Sequence, residues 1–336
     1  MPLPFPEPDR GRAVRILVTG SSGFVGAALL RALRERGFEV RGFSRSARDG
    51  DDLEGDLLDP ESIRAALAGF APELIYNLAG RTDLKGAPAG GYAVNSDGVS
   101  NLIDAVAAAP SVRRVVWAST QLVNRPGRAV TSDTDYDSGC AYGRSKAEAE
   151  RRLRARDGGG KEWVIFRSTT IWGPGMSEHY AAILGHIRRG LYFHVGSKKL
   201  RKSYSYIGNL VEQLITLGTA PAERVNRRTF YLADSEPIEL REWHDQFASI
   251  FGRRIATMPL FAARLAAFGG DLAARLGIRL PITSRRLANM LTEYVHDVSP
   301  IEAVHGRTRI SNEEGVRRTA AWYLRREDAG KDGAAS

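Results

Sequence analysis

A single cysteine, Cys140, stands in the 336 residues of this chain. One thiol excludes a disulfide framework, a cysteine zinc site and a haem-attachment motif within one chain. No metal site is expected, and the scarcity of thiols fits a reducing cytoplasm. Long apolar runs are missing too. The leading "MPLPFPEPDRGR" is proline-rich and has no apolar core, so residues 1–12 read as a flexible tail rather than a signal peptide. The most apolar later stretch, "PLFAARLAAFGGDLAARLGI" at 259–278, is broken by Arg264, Asp271 and Arg275, which excludes a comfortable membrane span. It reads as an amphipathic helix on a substrate lobe or, alternatively, as a surface that touches lipid. Basic stretches interleaved with aromatics are absent, as is a helix-turn-helix pattern. The net charge of +9, densest in "RRLRAR" (151–156) and "KKLRK" (198–202), therefore points to solvated helix faces and an anionic small molecule, not to nucleic acid. There is no internal repeat.

What is present is an ordinary globular composition, 43% hydrophobic and 26% charged, in a chain long enough for one large domain and a smaller lobe. Short β-rich runs alternate with helical patterns. "VRILVTG" (14–20), "FEVRGFSR" (38–45), "ELIYNLAG" (73–80), "VRRVVWAST" (112–120) and "EWVIFRS" (162–168) read as strands. "AALLRALRERG", "PESIRAAL", "NSDGVSNLIDAVAAA" (95–109) and residues 139–155 read as the helices between them. Such alternation predicts an α/β fold, a doubly wound parallel sheet covered on both faces. After Trp172 the rhythm changes. "FYLAD" (230–234) still reads as a sheet strand, 236–295 as mostly helical, and 311–327 as a last helix with Ser311 and Glu314 spaced as a capping box. The expected division is a dinucleotide domain of 13–175 plus about 204–235. A smaller, mainly helical C-terminal substrate lobe would take 176–203 plus about 236–327, with a second tail at 328–336.

Three patterns carry chemistry. "TGSSGFVG" (19–26) lies between a strand and a helix, the context a dinucleotide fingerprint requires. Gly20 would allow the tight turn, Gly23 the approach of a pyrophosphate and Gly26 the close packing of helix on strand. The backbone of Gly20, Ser22, Gly23, Phe24, Val25 and Gly26 is then the expected phosphate cradle. The second pattern is again an absence. The acid that would hold an NAD ribose at the end of the second strand is missing, and Ser44, Arg45 and Arg48 stand there instead. A hydroxyl and guanidinium groups suit a 2′-phosphate, so NADP is expected, with NAD as the alternative. The third is "AYGRSKAEAE" (141–150), which puts Tyr142 and Lys146 one helical turn apart on one face. An ammonium beside a phenol favours its ionised form, although a half-buried tyrosine beside a solvated lysine gives the same spacing.

The chain resembles the extended short-chain dehydrogenase/reductases, in particular the NAD-dependent epimerase/dehydratase family, from about residue 13 to about 327. Nine segments carry the resemblance in order: "TGSSGFVG", "EGDLLD" (54–59), "IYNLAG" (75–80), "NSDGVSNLIDA" (95–105), "VVWAST" (115–120), "YGRSK" (142–146), "FRSTTIWGPG" (166–175), "SYSYIGNLVEQL" (203–214) and "EEGVRRTAAWY" (313–323). The resemblance implies that Tyr142 and Lys146 are the catalytic tyrosine and lysine, the lysine also binding the nicotinamide ribose. It implies Thr120, or failing it Ser119, as the hydroxyl that steadies the substrate oxygen. Asp56 and Leu57 would lie around the adenine, Ala79 and Gly80 along the adenosine, and Asn95 near the nicotinamide.

The chain departs from the family in two places and keeps basic residues at a third. The family's dehydratases carry an Asp-Glu pair where Gln121 and Leu122 stand, so elimination of water is not expected. The family's aspartate after the later tyrosine is Asn209, read as structural. Arg201 and Lys202 fall near the family's pyrophosphate-binding arginine. The implied function is a nucleotide-sugar epimerase or ketoreductase working by hydride transfer. An alternative is an NADP-dependent reductase or dehydrogenase of an apolar secondary alcohol. A non-catalytic cofactor-sensing protein is a third reading, against which the intact Thr120, Tyr142 and Lys146 speak. A homodimer is open.

Overall fold

The computed structural model describes residues 14–46, 50–83, 90–128, 130–275, 277–278 and 283–332. In chain order the strands are β1 (Arg15–Thr19), β2 (Glu39–Ser44), β3 (Leu53–Glu54), β4 (Leu74–Asn77), β5 (Arg114–Thr120), β6 (Glu162–Ser168), β7 (Thr170–Trp172), β8 (Phe193–Val195), β9 (Arg201–Lys202), β10 (Tyr204–Tyr206), β11 (Arg228–Leu232), β12 (Ile238–Glu239) and β13 (Ala256–Met258). The helices are α1 (Phe24–Glu35), α2 (Pro60–Phe70), α3 (Ala93–Ala108), α4 (Ala141–Ala155), α5 (Glu178–Arg188), α6 (Ile207–Thr219), α7 (Ala222–Val225), α8 (Leu240–Ile250), α9 (Leu260–Arg275), α10 (Ser284–Leu291), α11 (Ser299–His305) and α12 (Asn312–Asp332).

Two compact units emerge. The first takes the described residues through Ile171, with Ile207–Ser235 and Asp297–Thr308. Its sheet has the order β11-β6-β5-β4-β1-β2-β3, and every pairing is parallel. A parallel sheet needs helical crossovers that cover both faces, so its strands read as nearly continuous apolar runs. Ile16, Leu17 and Val18 in β1, and all of β4, are buried accordingly. α1 buries Gly26, Leu29, Leu30 and Leu33, an i, i+3, i+4, i+7 stripe. α2 starts where Asp59 accepts a hydrogen bond from the Glu61 amide, with Pro60 in the first turn. The register aligns Phe43, Thr19, Asn77, Trp117 and Ile165 across five strands, so their C-terminal ends form one rim.

The two-residue β3 has no counterpart in the sequence pattern, being too short to show a period. β4 stops at Asn77 rather than continuing to Gly80. The Thr19 hydroxyl donates to Asn77 Oδ1 (2.7 Å) and accepts from the Ala79 amide (3.1 Å), turning the chain out of the sheet. Residues 297–308, expected in the smaller lobe, join the first unit. There Thr216 Oγ1 and His305 Nδ1 lie 2.7 Å apart, and Arg224 donates to the Ala303 carbonyl.

The second unit comprises Trp172–Tyr206, Glu236–His296 and the chain from Arg309 onward. Helices dominate it, with two small strand pairs inserted, β9 with β12 and β8 with β13. Trp172 is its hub, with ring centroids 5.1 Å from Tyr206, 5.2 Å from Trp243 and 6.3 Å from Phe247. Large edge-to-face aromatics let a small lobe bury area with few residues. The amide of Glu314 donates to Ser311 Oγ at 3.3 Å, as the capping spacing predicts. α12 runs on to Asp332, into the stretch expected as a tail, with Tyr323 and Arg188 both donating to Glu327.

Candidate active site at the strand rim

The rim begins at the glycine turn. Gly20 has φ +68, and a Cβ there would sit 2.8 Å from the Ala79 backbone. A Cβ on Gly26 would meet the Gly20 carbonyl oxygen at 2.2 Å, so only glycine lets α1 start this close to β1. Gly23 caps α1 without a side-chain bond, and no acid lies in the first turn. Ser22, Phe24 and Val25 line this turn without being buried in the core. The first amides of α1 are therefore open to an anion, and the helix dipole favours one. The Ser21 hydroxyl is buried and has no hydrogen-bond partner in the protein. A cradle shaped by missing Cβ atoms and an uncapped helix start together fit a dinucleotide pyrophosphate.

Further along the rim the expected residues converge. A Cβ on Gly80 would lie 2.9 Å from Asn95 Oδ1 and 3.1 Å from Lys146 Nζ, so the β4 loop, α3 and α4 meet there. Asn95 is fully buried. Its Oδ1 accepts from the Arg81 amide (2.8 Å), and its Nδ2 donates to the Arg81 carbonyl and to Ser145 Oγ, each at 2.9 Å. Lys146 Nζ donates to the Ala118 carbonyl at 3.0 Å. Burial pushes the Lys146 ammonium down to about 8, while the charge of Glu150 pulls it the other way. Tyr142 lies one turn earlier, 8% exposed, its ring 6.5 Å from that of Tyr92.

Local chemistry sets the start of α4. Gly143 donates its amide to Cys140 Sγ at 3.3 Å, so the lone cysteine is a helix cap. A Cβ on Gly143 would lie 2.0 Å from the Leu122 carbonyl oxygen and 2.2 Å from Ser138 Oγ. This glycine seats α4 on the 3₁₀ turn Gln121–Val123, which Thr120 caps by accepting from the Leu122 amide at 3.2 Å. Thr120 keeps its hydroxyl proton for another acceptor. Ser119, the second choice for that role, points the other way and donates to Glu150 Oε1 at 2.5 Å.

Glu150 and Arg167 are the residues the sequence reading missed. Arg167 donates to both Glu150 oxygens, at 3.0 and 2.8 Å, and Tyr136 Oη adds a bond at 3.0 Å. Both side chains are buried. Burial opposes the Arg167 charge, but the bonds and charge of Glu150 outweigh it and hold the guanidinium above its ordinary range. The available signal was the i, i+4, i+8 run of Tyr142, Lys146 and Glu150 along one helix face.

The remaining expected residues spread around this centre. Ser44 is buried at the end of β2 with its hydroxyl on the Ser46 carbonyl (2.8 Å), and Arg45 is exposed beside it. Arg48 lies outside the described residues. Asp56 Oδ1 accepts from the Leu58 amide (2.9 Å), and the Leu57 side chain is buried against Gly98. Asn209 donates to Asp234 Oδ1 at 2.8 Å, in keeping with a structural role. In the second unit Arg201 and Lys202 alternate on β9. Arg201 is exposed, whereas Lys202 is buried, donates to the Asn289 carbonyl (3.0 Å) and lies 5.1 Å from the centroid of the Tyr294 ring. Burial lowers the Lys202 pKa. The two side chains therefore stand in different surroundings, one in solvent and one buried. Among the described residues there is no group of side chains that could hold a metal, and no helix long and apolar enough to cross a membrane.

Comparison with known proteins extends the geometry. The model of the NAD-dependent epimerase/dehydratase family matches residues 16–233. A 2-alkyl-3-oxoalkanoate reductase of Stenotrophomonas maltophilia is 29% identical over 92% of this chain and 99% of its own. A 3β-hydroxysteroid dehydrogenase/Δ5→4-isomerase of Mycobacterium tuberculosis is 30% identical over 71% of this chain and 70% of its own. The UDP-glucose 4-epimerase of Thermus thermophilus, solved in complex with NAD, superposes with a TM-score of 0.71 at 21% identity, covering 93% of this chain and 99% of that one.

Proposed function

The chain belongs to the NAD-dependent epimerase/dehydratase family and is an enzyme of the extended short-chain dehydrogenase/reductase type; from that premise we propose that it interconverts an apolar secondary alcohol and its ketone, with NADP(H) preferred. The observation that carries the substrate class is Lys202. Its ammonium is engaged by the Asn289 carbonyl and the Tyr294 ring and partly deprived of water, which disfavours its use on the phosphates of a nucleotide sugar. The near full-length similarity to a reductase of an alkyl oxoalkanoate favours the same class. Arg45, exposed just past the end of β2, favours the phosphorylated cofactor.

The residues divide the work. A bound nicotinamide supplies the acceptor or donor of hydride. The α1 amides would hold the pyrophosphate, and Arg45 the 2′-phosphate. Thr120 donates its hydroxyl proton to the substrate oxygen. Tyr142 Oη takes the alcohol proton during oxidation and returns it during reduction. Lys146, anchored on Ala118, keeps a positive charge along the helix face of the tyrosine and favours the tyrosinate. Gln121 and Leu122 offer no acid or base, so water is not eliminated.

A nucleotide-sugar substrate is the second reading, favoured by the exposed Arg201 and by the fold shared with a UDP-glucose 4-epimerase. The deciding experiment follows nicotinamide absorbance with NADPH and a panel of alkyl oxoacids and steroid ketones. In parallel, UDP-glucose is incubated with the enzyme and its products are analysed. Cofactor turnover with an apolar ketone supports the proposal. Epimerisation of the sugar without net cofactor turnover would replace it with the second reading.

A further inference from the structure

α9 is built the wrong way round for a helix whose outer face meets only water. Its buried face carries only small residues, Ala263, Ala267 and Gly270, and the two alanines pack with Leu287, Val195, Met258 and Leu291. Its largest residues face out: Phe261 is 75% exposed, Leu265 71%, Phe268 67% and Leu272 53%. At about 100° per residue these four fall within about 60° of arc, on the side opposite the alanines. The stripe is continuous and about 16 Å long. Single exposed leucines need no explanation, but a contiguous patch of this kind marks an interaction surface.

Charge identifies what the surface meets. Residues 253–291 carry seven arginines and one acid, Asp271, a net +6 out of +9 for the whole chain. Arg264 and Arg275 are exposed and border the stripe along one side, within about 70° of its centre. Arginines in that position rest their stems on apolar surface and present their heads at its edge. We propose that α9 lies in the plane of an anionic lipid surface, Phe261, Leu265, Phe268 and Leu272 entering the acyl boundary and the arginines engaging the headgroup charges. Large apolar residues on one face, bordered by arginine, are the signature of an interfacial helix that lies on a membrane without spanning it. A second copy of the chain is a poorer occupant, because a two-fold contact over the stripe would bring the exposed Arg264 and Arg275 of both copies together. A small ligand is poorer still, because a convex helix face encloses nothing.

The test is independent of the substrate reading, since it needs no substrate. The full chain is sedimented with vesicles of phosphatidylcholine alone and of phosphatidylcholine containing phosphatidylglycerol, at low and high salt. The wild type is expected to pellet with the anionic vesicles and to be released by salt. Leu265→Gln/Phe268→Gln is expected to weaken that binding at least tenfold, and Arg264→Gln/Arg275→Gln to weaken it on anionic vesicles only. Both variants should keep the wild-type thermal midpoint and lipid-free activity, because the side chains are exposed. Failure of the wild type to bind either vesicle, or wild-type binding by the Leu265→Gln/Phe268→Gln variant, overturns the proposal. A dimer that this variant dissolves would assign the stripe to a second copy. A raised KM for a soluble substrate without lipid would assign it to the substrate. Either result also overturns the proposal.

Discussion

Lys146 holds a charge where little water reaches it, and the consequence is measurable. Burial lowers its pKa to about 8 from an ordinary 10.5. Between those values the unfolded chain keeps the proton that the folded chain has released, so this group makes stability rise with pH across about pH 8–10.5. Below pH 8 both states hold the proton, and the full penalty of the buried charge persists. The urea midpoint of the wild type should therefore gain on that of Lys146→Met between pH 8 and 10.5 and run parallel to it at lower pH; parallel profiles throughout would mean an unperturbed lysine. Tyr142→Phe removes only the hydroxyl. We expect turnover to fall ~10²–10⁴-fold with NADPH affinity retained, and wild-type turnover would remove Tyr142 from the mechanism. Arg45→Ala should weaken NADPH but not NADH, by roughly 1.5–3 kcal/mol for one charge-assisted hydrogen bond. Calorimetry finding that NADH binds the wild type as well as NADPH does would dismiss the 2′-phosphate role.

At the scale of elements, α4 is positioned from two sides. Its first turn rests on the Gln121–Val123 turn through Gly143, whose absent Cβ leaves room for the Leu122 carbonyl. Gly143→Ala overpacks that contact and should cost about 1–3 kcal/mol. It should lower kcat more than it lowers cofactor affinity, because the glycine turn of α1 lies elsewhere. The later turn is tied to β5 and β6 by Glu150, Ser119 and Arg167. Arg167→Met strands a buried carboxylate and should cost about 3–5 kcal/mol. Adding Glu150→Met should restore part of that loss. If the double variant is no more stable than the single one in urea, the pair is not the coupled unit its geometry describes.

At the scale of the molecule, cofactor and fold are linked. A ligand that binds only the native state adds about 2.7 kcal/mol of stability at a hundredfold excess over Kd. Saturating NADPH should raise the thermal midpoint of the first unit more than NADH does at equal concentration. The reverse order would transfer the preference to NAD(H).

Much of this was legible in the sequence because it is local. A strand buried on both faces must read as an apolar run, and a helix on a sheet as a 3.6-residue stripe. β1, β4, β5 and α1–α4 were therefore visible, as were the glycine turn and the four-residue spacing of Tyr142 and Lys146. The partners of those residues depend on chain distant in sequence, and no period encodes them. Only the folded chain brings Gly80 and Asn95 to Lys146, turns Ser119 to Glu150 and leaves Thr120 on the opposite face. The strand alternation of β9 separates Arg201 from Lys202, which are adjacent in sequence and look equivalent there. The apolar stretch at 259–278 reads as amphipathic from composition alone. Which of its faces is covered was decided by the side chains packed against it, and those accept only the alanines and a glycine.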